Sequence, residues 1–258
     1  MAHDELLDIA STIAQAAGEL ALRRRAEGVE IAGLKSSPVD VVTLADRETE
    51  QLIRSMLADA RPDDGFFGEE SGAEAGTSGL TWLVDPIDGT VNYVYGSPHW
   101  GVSIAVVEGE PDPLRWQALA ACVVGPALGE VYTATLGGGA RLNNAPIEVA
   151  PAVELAEALV ATGFAYNSEM RAQQGAAIAR LLPRVRDIRR MGAASLDLCA
   201  VANGRVNAFF EQTLSPWDHA AGALVTGWNT DAPSADFVLA GSPLVASELE
   251  KVLRELAK

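Results

Sequence analysis

The chain has 258 residues, 48% of them hydrophobic, enough to bury one continuous core or two closely packed half-domains, and it carries a formal charge of −16. Nucleic acid and anionic membranes are repelled over most of such a surface, so neither is expected as a partner; a small anion needs local positive charge, which a bound divalent cation supplies better than a Lys/Arg cluster in so acidic a chain. Cys122 and Cys199 lie far apart in apolar contexts and read as buried free thiols; with no signal-like or transit-like opening and no run able to span a bilayer, a cytoplasmic protein is expected.

Leu6, Ile9, Ile13, Ala16, Ala17 and Leu20 recur at helical spacing after Asp4, a plausible cap, and predict a first helix to about Ala26 that ends in the basic run Arg23 to Arg25. After the loop Lys35 to Asp40, a second helix is expected from about Thr43, with Leu52, Ile53, Met56 and Leu57 on one face and its end before Pro62. Strand signals crowd the middle: Thr81 to Val84, Gly101 to Val107, Trp116 to Val124, Glu130 to Thr135 and Ala140 to Leu142, with Asn143-Asn144 as a hairpin tip. Beyond Pro151 the pattern alternates: a strand over Ala158 to Phe164, helices over Glu169 to Leu182 and Ser195 to Ala202, a strand over Val206 to Glu211, then helices from Pro216 and Pro243. Clustered strands with helices on both flanks favour a layered α+β architecture over a doubly wound parallel sheet. No internal repeat or low-complexity linker is evident.

The stretch Trp82-Leu-Val-Asp85-Pro-Ile-Asp88-Gly-Thr90 places two acids where an apolar strand is expected to end. Pro86 cannot donate to a ladder and Gly89 permits a tight turn, so Asp85 and Asp88 can converge with the Ile87 carbonyl between them. Such hard oxygen donors suit Mg²⁺ or Mn²⁺, and a helical turn opening at Gly89 and Thr90 would face an anion held by the same cations. An ordinary acidic turn has the same composition; the Gly-Thr continuation favours the site. Haloacid-dehalogenase phosphatases separate their two aspartates by two positions, and the separation of three here argues against an aspartyl-phosphate mechanism.

With Gly68-Glu69-Glu70-Ser71 upstream and Trp217-Asp218-His-Ala-Ala-Gly222 far downstream, the chain resembles the inositol monophosphatase family. The likeness extends to Lys35-Ser-Ser-Pro-Val-Asp-Val-Val-Thr-Leu-Ala-Asp46 and to Gly192-Ala-Ala-Ser-Leu-Asp-Leu-Cys-Ala-Val-Ala-Asn-Gly-Arg205, ending at Phe209-Phe-Glu211, in the expected order over most of the chain. The resemblance implies the layered α-β-α-β-α sugar-phosphatase architecture, with residues 1–150 as an α+β half bearing most metal ligands and 151–258 as an α/β half completing the site. It implies two or three Mg²⁺ per site, one held by Glu69, Asp85 and the Ile87 carbonyl, a second by Asp85, Asp88 and Asp218, and a looser third near Glu69. It also implies hydrolysis of a small-molecule phosphate ester by a metal-activated water, assisted by Thr90 and Asp46, with phosphate at Gly89 and Thr90 and the alcohol meeting the backbone of Gly192, Ala193 and Ala194 and the carboxylate of Glu211. Lithium sensitivity and a homodimer are implied in the same way. Inositol 1-phosphate is the expected substrate. Histidinol phosphate, fructose 1,6-bisphosphate and 3′-phosphoadenosine phosphates are the alternatives on this scaffold, and a regulatory binding protein contacting the transcription machinery is the alternative outside the enzyme class.

Local chemistry offers other roles for several of these residues. Thr43-x-x-Asp46 and Ser215-Pro-Trp-Asp218 both read as capping boxes at helix starts. Glu69 and Glu70 read equally as solvated loop acids, Glu211 as an exposed strand-end acid, and Lys35 as a surface lysine. Two departures from the family pattern stand out. The usual Gly-Ser-Ala-Ala is here Gly192-Ala-Ala-Ser195, which moves the hydroxyl, and the segment after Thr226, Gly227-Trp-Asn-Thr-Asp231 to Pro233 and on to Leu239, is shortened. His219 adjoins Asp218, but three histidines make no zinc cluster.

Overall fold

The computed structural model of the protein describes residues 2–34, 41–109, 112, 115–227 and 237–256. Helix α1 (Ala2–Glu27) leads into a small antiparallel pair, β1 (Ile31–Leu34) and β2 (Val41–Thr43), and then into α2 (Leu44–Ala60). Asp4 is not the cap: α1 already includes Ala2, and Asp4 lies in the first turn, where its charge suits the positive end of the helix. Next come β3 (Gly65–Gly68), β4 (Gly72–Glu74), β5 (Leu80–Asp88), the short α3 (Thr90–Tyr95), β6 (Gly101–Gly109), β7 (Trp116–Gly125), β8 (Glu130–Thr135), β9 (Gly139–Leu142) and β10 (Ala145–Pro146). These strands form an eight-stranded sheet in the order β10-β9-β8-β7-β6-β5-β3-β4, antiparallel except where β3 pairs with β5. The β9–β10 connection is the expected hairpin tip, with Asn143 and Asn144 at φ of 48° and 67°.

The rest of the chain supplies β11 (Leu159–Thr162), α4 (Ser168–Leu181), β12 (Asp187–Arg189), α5 (Ala194–Ala202), β13 (Ala208–Glu211), α6 (Pro216–Thr226), β14 (Val238–Gly241) and α7 (Pro243–Leu256). Its sheet runs β12-β11-β13-β14.

Strand alternation explains the layering. Along β6 and β7, Val102, Ile104, Val106, Ala120, Cys122 and Val124 pack with Ile13, Ala17 and Ile53 of α1 and α2, whereas Ala105, Val107, Ala121 and Val123 pack with Leu196, Cys199, Ala220 and Ala221 of α5 and α6. The smaller sheet repeats the device. Phe209 faces Leu198 and Val201 of α5, and Val160, Ala208 and Phe210 face Leu181, Val245 and Leu249 of α4 and α7. The five layers are therefore two helices, eight strands, two helices, four strands and two helices, the α-β-α-β-α order expected. Every residue of α5 is buried, because this helix lies between the two sheets. Cys122 and Cys199 are buried free thiols, also as expected. No helix among the described residues is long and apolar enough to cross a membrane.

His219 sits fully buried on α6 in the core beside the large sheet, its ring 6.1 Å from that of Trp116, and neither ring nitrogen meets a hydrogen-bond partner among the described residues. Burial pushes its pKa down to about 4. The unfolded chain therefore takes up a proton that the folded one refuses, and stability is lost as pH falls from the ordinary imidazole range toward about 4. Replacing it by a hydrophobe of similar size removes both the proton linkage and the unsatisfied nitrogens. The His219→Leu variant is expected to show a flatter fall of Tm between about pH 6.5 and 4 than the parent; thermal denaturation across that range checks it.

Candidate active site

In a regular strand, residues three apart point to opposite faces, so Asp85 and Asp88 could not share a cleft on β5. The pairing with β6 slips between them: Asp85 lies opposite Ser103 and Asp88 opposite Gly101, so three steps on one strand meet two on the other. Pro86, with no N–H for the ladder, sits in this bulge. The Ile87 N–H turns back to Asp85 Oδ1 at 3.0 Å. The sequence pattern places the two acids where the strand ends; β5 continues through Asp85 and ends at Asp88, and the extra residue turns both into the same cleft.

Parallel pairing of β3 with β5 carries Glu69 to the same place, its N–H donating to the Val84 carbonyl at 3.1 Å. A Cβ on Gly68 would fall 2.3 Å from Oε2 of Glu50. That buried carboxylate accepts the Glu70 N–H at 2.8 Å and so holds the turn bearing Glu69. Nothing in the helical pattern around Glu50 marked it for this.

Gly89 follows in the left-handed region at φ +87°, and a side chain there would come within 3.0 Å of the Gly192 carbonyl and 3.1 Å of Ala193. Two backbones therefore touch at the floor of the cleft. Asn92 of α3 ties them, donating through Nδ2 to the carbonyls of His99 at 2.6 Å and Met191 at 2.8 Å. Tyr93 seats α3 on the first helix, its hydroxyl donating to Ala21 O at 2.9 Å and its ring meeting Trp100 edge-on.

Asp46, Asp218 and Asp88 are each held by the start of a helix. Asp46, fully buried at the start of α2, accepts the Thr43 N–H on Oδ2 at 2.8 Å, completing a capping box, while Oδ1 stands 3.2 Å from the Thr90 hydroxyl. Capping and contact with Thr90 coexist. Asp218 accepts the Ser215 N–H on Oδ2 at 2.6 Å, and the start of α6 is pinned by Trp217, whose ring meets Phe67 edge-on at 5.1 Å and whose carbonyl takes the Ser103 hydroxyl at 3.2 Å. Asp88 accepts the backbone N–H groups of Ala194 at 3.2 Å and Ser195 at 2.7 Å.

Glu69, Asp85, Ile87, Asp88, Gly89, Thr90, Gly192, Ala194, Glu211 and Asp218 all line one cleft of about 570 Å³. Asp46 lies behind Thr90, and the buried Ala193 packs beneath Gly89. Arg190 is the one Arg or Lys among the described lining residues, and no sequence signal distinguished it from its neighbours. Lys35 and the shortened segment over residues 228–236 lie outside the described residues.

Burial pushes the Asp88 carboxyl up to about 6. Burial, followed by the charges of Glu69 and Asp88, holds Asp218 well above the usual carboxylate range. Glu211 rises to about 8 by burial and then by the charge of Asp197. Among the described residues no three His, Cys, Asp or Glu side chains close into a ready-made cage; the carboxylates line the walls of the cleft, where they raise one another's proton affinity. A set of hard oxygen donors in mutual repulsion fits a hard divalent cation, which relieves the repulsion that protons otherwise relieve.

The sequence profile of the inositol monophosphatase family matches residues 2–249. The inositol-1-monophosphatase of Mycobacterium leprae (strain TN) is 37% identical, the match covering 97% of this chain and 94% of that protein. The Nus factor SuhB of Vibrio cholerae serotype O1 is 35% identical over 97% of this chain and 96% of its own. Among solved structures, the extragenic suppressor protein suhB from Bartonella henselae has a TM-score of 0.86 at 30% identity, covering 97% of this chain and 99% of that one.

The floor of the cleft tolerates no side chain at position 89. Gly89→Ala is expected to cost about 1–3 kcal/mol of stability through its positive φ and its contact with Gly192, and to abolish turnover; urea unfolding read alongside phosphate release checks both.

Proposed function

The chain belongs to the inositol monophosphatase family, and we propose that it hydrolyses myo-inositol 1-phosphate to inositol and phosphate with Mg²⁺ held by Glu69, Asp85, the Ile87 carbonyl, Asp88 and Asp218. The family is metal-dependent, and the chain is a phosphoric monoester hydrolase. The observation that carries the reading is the meeting, in one cleft, of mutually repelling carboxylates from β5, the turn after β3 and the start of α6, with Thr90 beside them and Asp46 behind it. Two or three ions per site, with Mn²⁺ as a substitute and lithium as an inhibitor, belong to the same reading.

Bound there, the cations would polarise the phosphoryl group and lower the pKa of a nearby water. The protein's own share is proton handling and placement. The Thr90 hydroxyl has one proton and two acceptors in reach, Asp46 Oδ1 at 3.2 Å and Ile87 O at 3.1 Å. With the Ile87 carbonyl engaged by a cation, that proton goes to Asp46, and the lone pairs of Thr90 Oγ are left to accept a hydrogen bond from the attacking water. As the water gives its proton to Thr90 Oγ, the Thr90 proton passes to the Asp46 carboxylate, which becomes the neutral acid. Gly89 and Thr90 present the start of α3 to the phosphate, and Gly192, Ala193 and Ala194 face the alcohol side with Glu211. The Ala194 N–H is already given to Asp88, so the alcohol would share that donor. Burial pushes the Glu211 carboxyl up to about 8 in the substrate-free cleft, and its protonated form can donate to a substrate hydroxyl. Arg190 supplies the positive charge that draws a dianion into an otherwise acidic mouth.

A regulatory reading is favoured by one observation: relatives about as similar as the phosphatases carry the name Nus factor. It does not compete for the same residues, because an acidic surface can meet a basic partner while the cleft keeps its chemistry. A cytoplasmic homodimer is the expected working form.

Purified protein is expected to release phosphate from inositol 1-phosphate in Mg²⁺, faster than from histidinol phosphate, fructose 1,6-bisphosphate or 3′-phosphoadenosine 5′-phosphate at the same Mg²⁺ concentration, and Asp85→Asn is expected to lower the rate at least about a thousandfold. Full activity in excess chelator would overturn the mechanism, and a faster rate on another ester would reassign the substrate.

A further inference from the structure

Ser195 occupies a position where the family pattern has alanine, and the hydroxyl that the pattern carries two residues earlier is absent from Ala193. The structure gives both sites a consequence. At position 193 the side chain faces Gly89, at the floor of the cleft. The Ser195 hydroxyl is instead fully buried and donates to Oδ2 of Asp88, the oxygen that already accepts the Ser195 backbone N–H at 2.7 Å. Oδ1 accepts the Ala194 N–H at 3.2 Å.

A carboxylate offers about four lone-pair directions, and three are taken here by α5. Its orientation is therefore set by that helix, which in turn cannot shift. Gly222 of α6 approaches so closely that a Cβ on it would lie 2.7 Å from Leu198 and 3.1 Å from the Ser195 carbonyl, and α5 is buried along its whole length.

We infer that Ser195 is a positioning residue: its hydroxyl and N–H fix the Asp88 carboxylate so that Oδ1 keeps a lone pair for the cation cleft, and the hydroxyl sets the affinity of that one ligand for a divalent ion. The inference rests on the reading of Asp88 as a cation ligand. Removing one donor from a ligating carboxylate lets it rotate and obliges the incoming ion to order it again, a loss that partners of metal ligands typically register as 10- to 100-fold in affinity. Alanine fits the vacated space, so the fold is kept.

The test uses Mn²⁺ alone as the probe, with free Mn²⁺ measured by electron paramagnetic resonance in the substrate-free protein. Ser195→Ala is expected to weaken one class of Mn²⁺ sites about tenfold, leaving the other sites as in the parent, and Asp88→Asn is expected to remove that same class. Unchanged Mn²⁺ affinity in Ser195→Ala, while Asp88→Asn loses a site, overturns the positioning role and leaves the cation reading standing. A lowered Tm with unaltered affinity overturns it too, since Ser195 would then serve only the packing of α5. If the parent itself binds no Mn²⁺, the cation reading falls and the role of Ser195 falls with it.

Discussion

Like charges held in one half-buried cleft are the constraint around which this molecule is arranged. Burial and then the charges of Glu69 and Asp88 raise the cost of ionising Asp218, and burial raises that of Asp88. A fold can keep such a group only by supplying donors to the carboxylates, by admitting a cation, or by both. Here the donors are mostly backbone N–H groups at helix starts: Thr43 for Asp46, Ala194 and Ser195 for Asp88, and Ser215 for Asp218. Each uses the positive end of a helix to hold a negative side chain.

This division of labour dissolves an opposition posed by the sequence. A capping acid and a ligand acid look like alternatives when one letter stands for one role. A carboxylate has two oxygens, and in Asp46 they face in different directions, one to Thr43 and one to Thr90. The capping box is what makes Asp46 stiff enough to hold Thr90 in a defined orientation.

How much was legible beforehand varies with the physics behind each feature. Local signals carried well: the strand periodicity of β6 and β7, the Asn143-Asn144 turn, and the prolines opening α6 and α7 were all visible, because neighbouring residues determine them. The grouping of the site residues was readable only through family resemblance, since residues 46, 69, 85 and 218 are brought together by sheet order. The bulge at Pro86 escaped notice because a proline after an apolar run reads as a strand end, and only the pairing partner reveals that β5 continues to Asp88. Glu50, Asn92 and Arg190 were missed for a similar reason. Their roles depend on what lies across from them, the Glu70 N–H, two carbonyls and an acidic wall, and none of these lies in their own local pattern.

The contact between Gly89 and Gly192 joins a turn early in the chain to a loop about a hundred positions later, and Asp218 must arrive later still. Closing such loops brings an entropic cost before any contact rewards it. During synthesis the large sheet can therefore be laid down while the cleft still lacks its floor and one wall, so a chain emerging from the ribosome passes most of its elongation as a scaffold without a binding place. The cleft is complete only once α6 brings Asp218 to it. A premature stop before α6 removes Asp218 from the cleft and uncovers the face of the large sheet that Ala220 and Ala221 pack against.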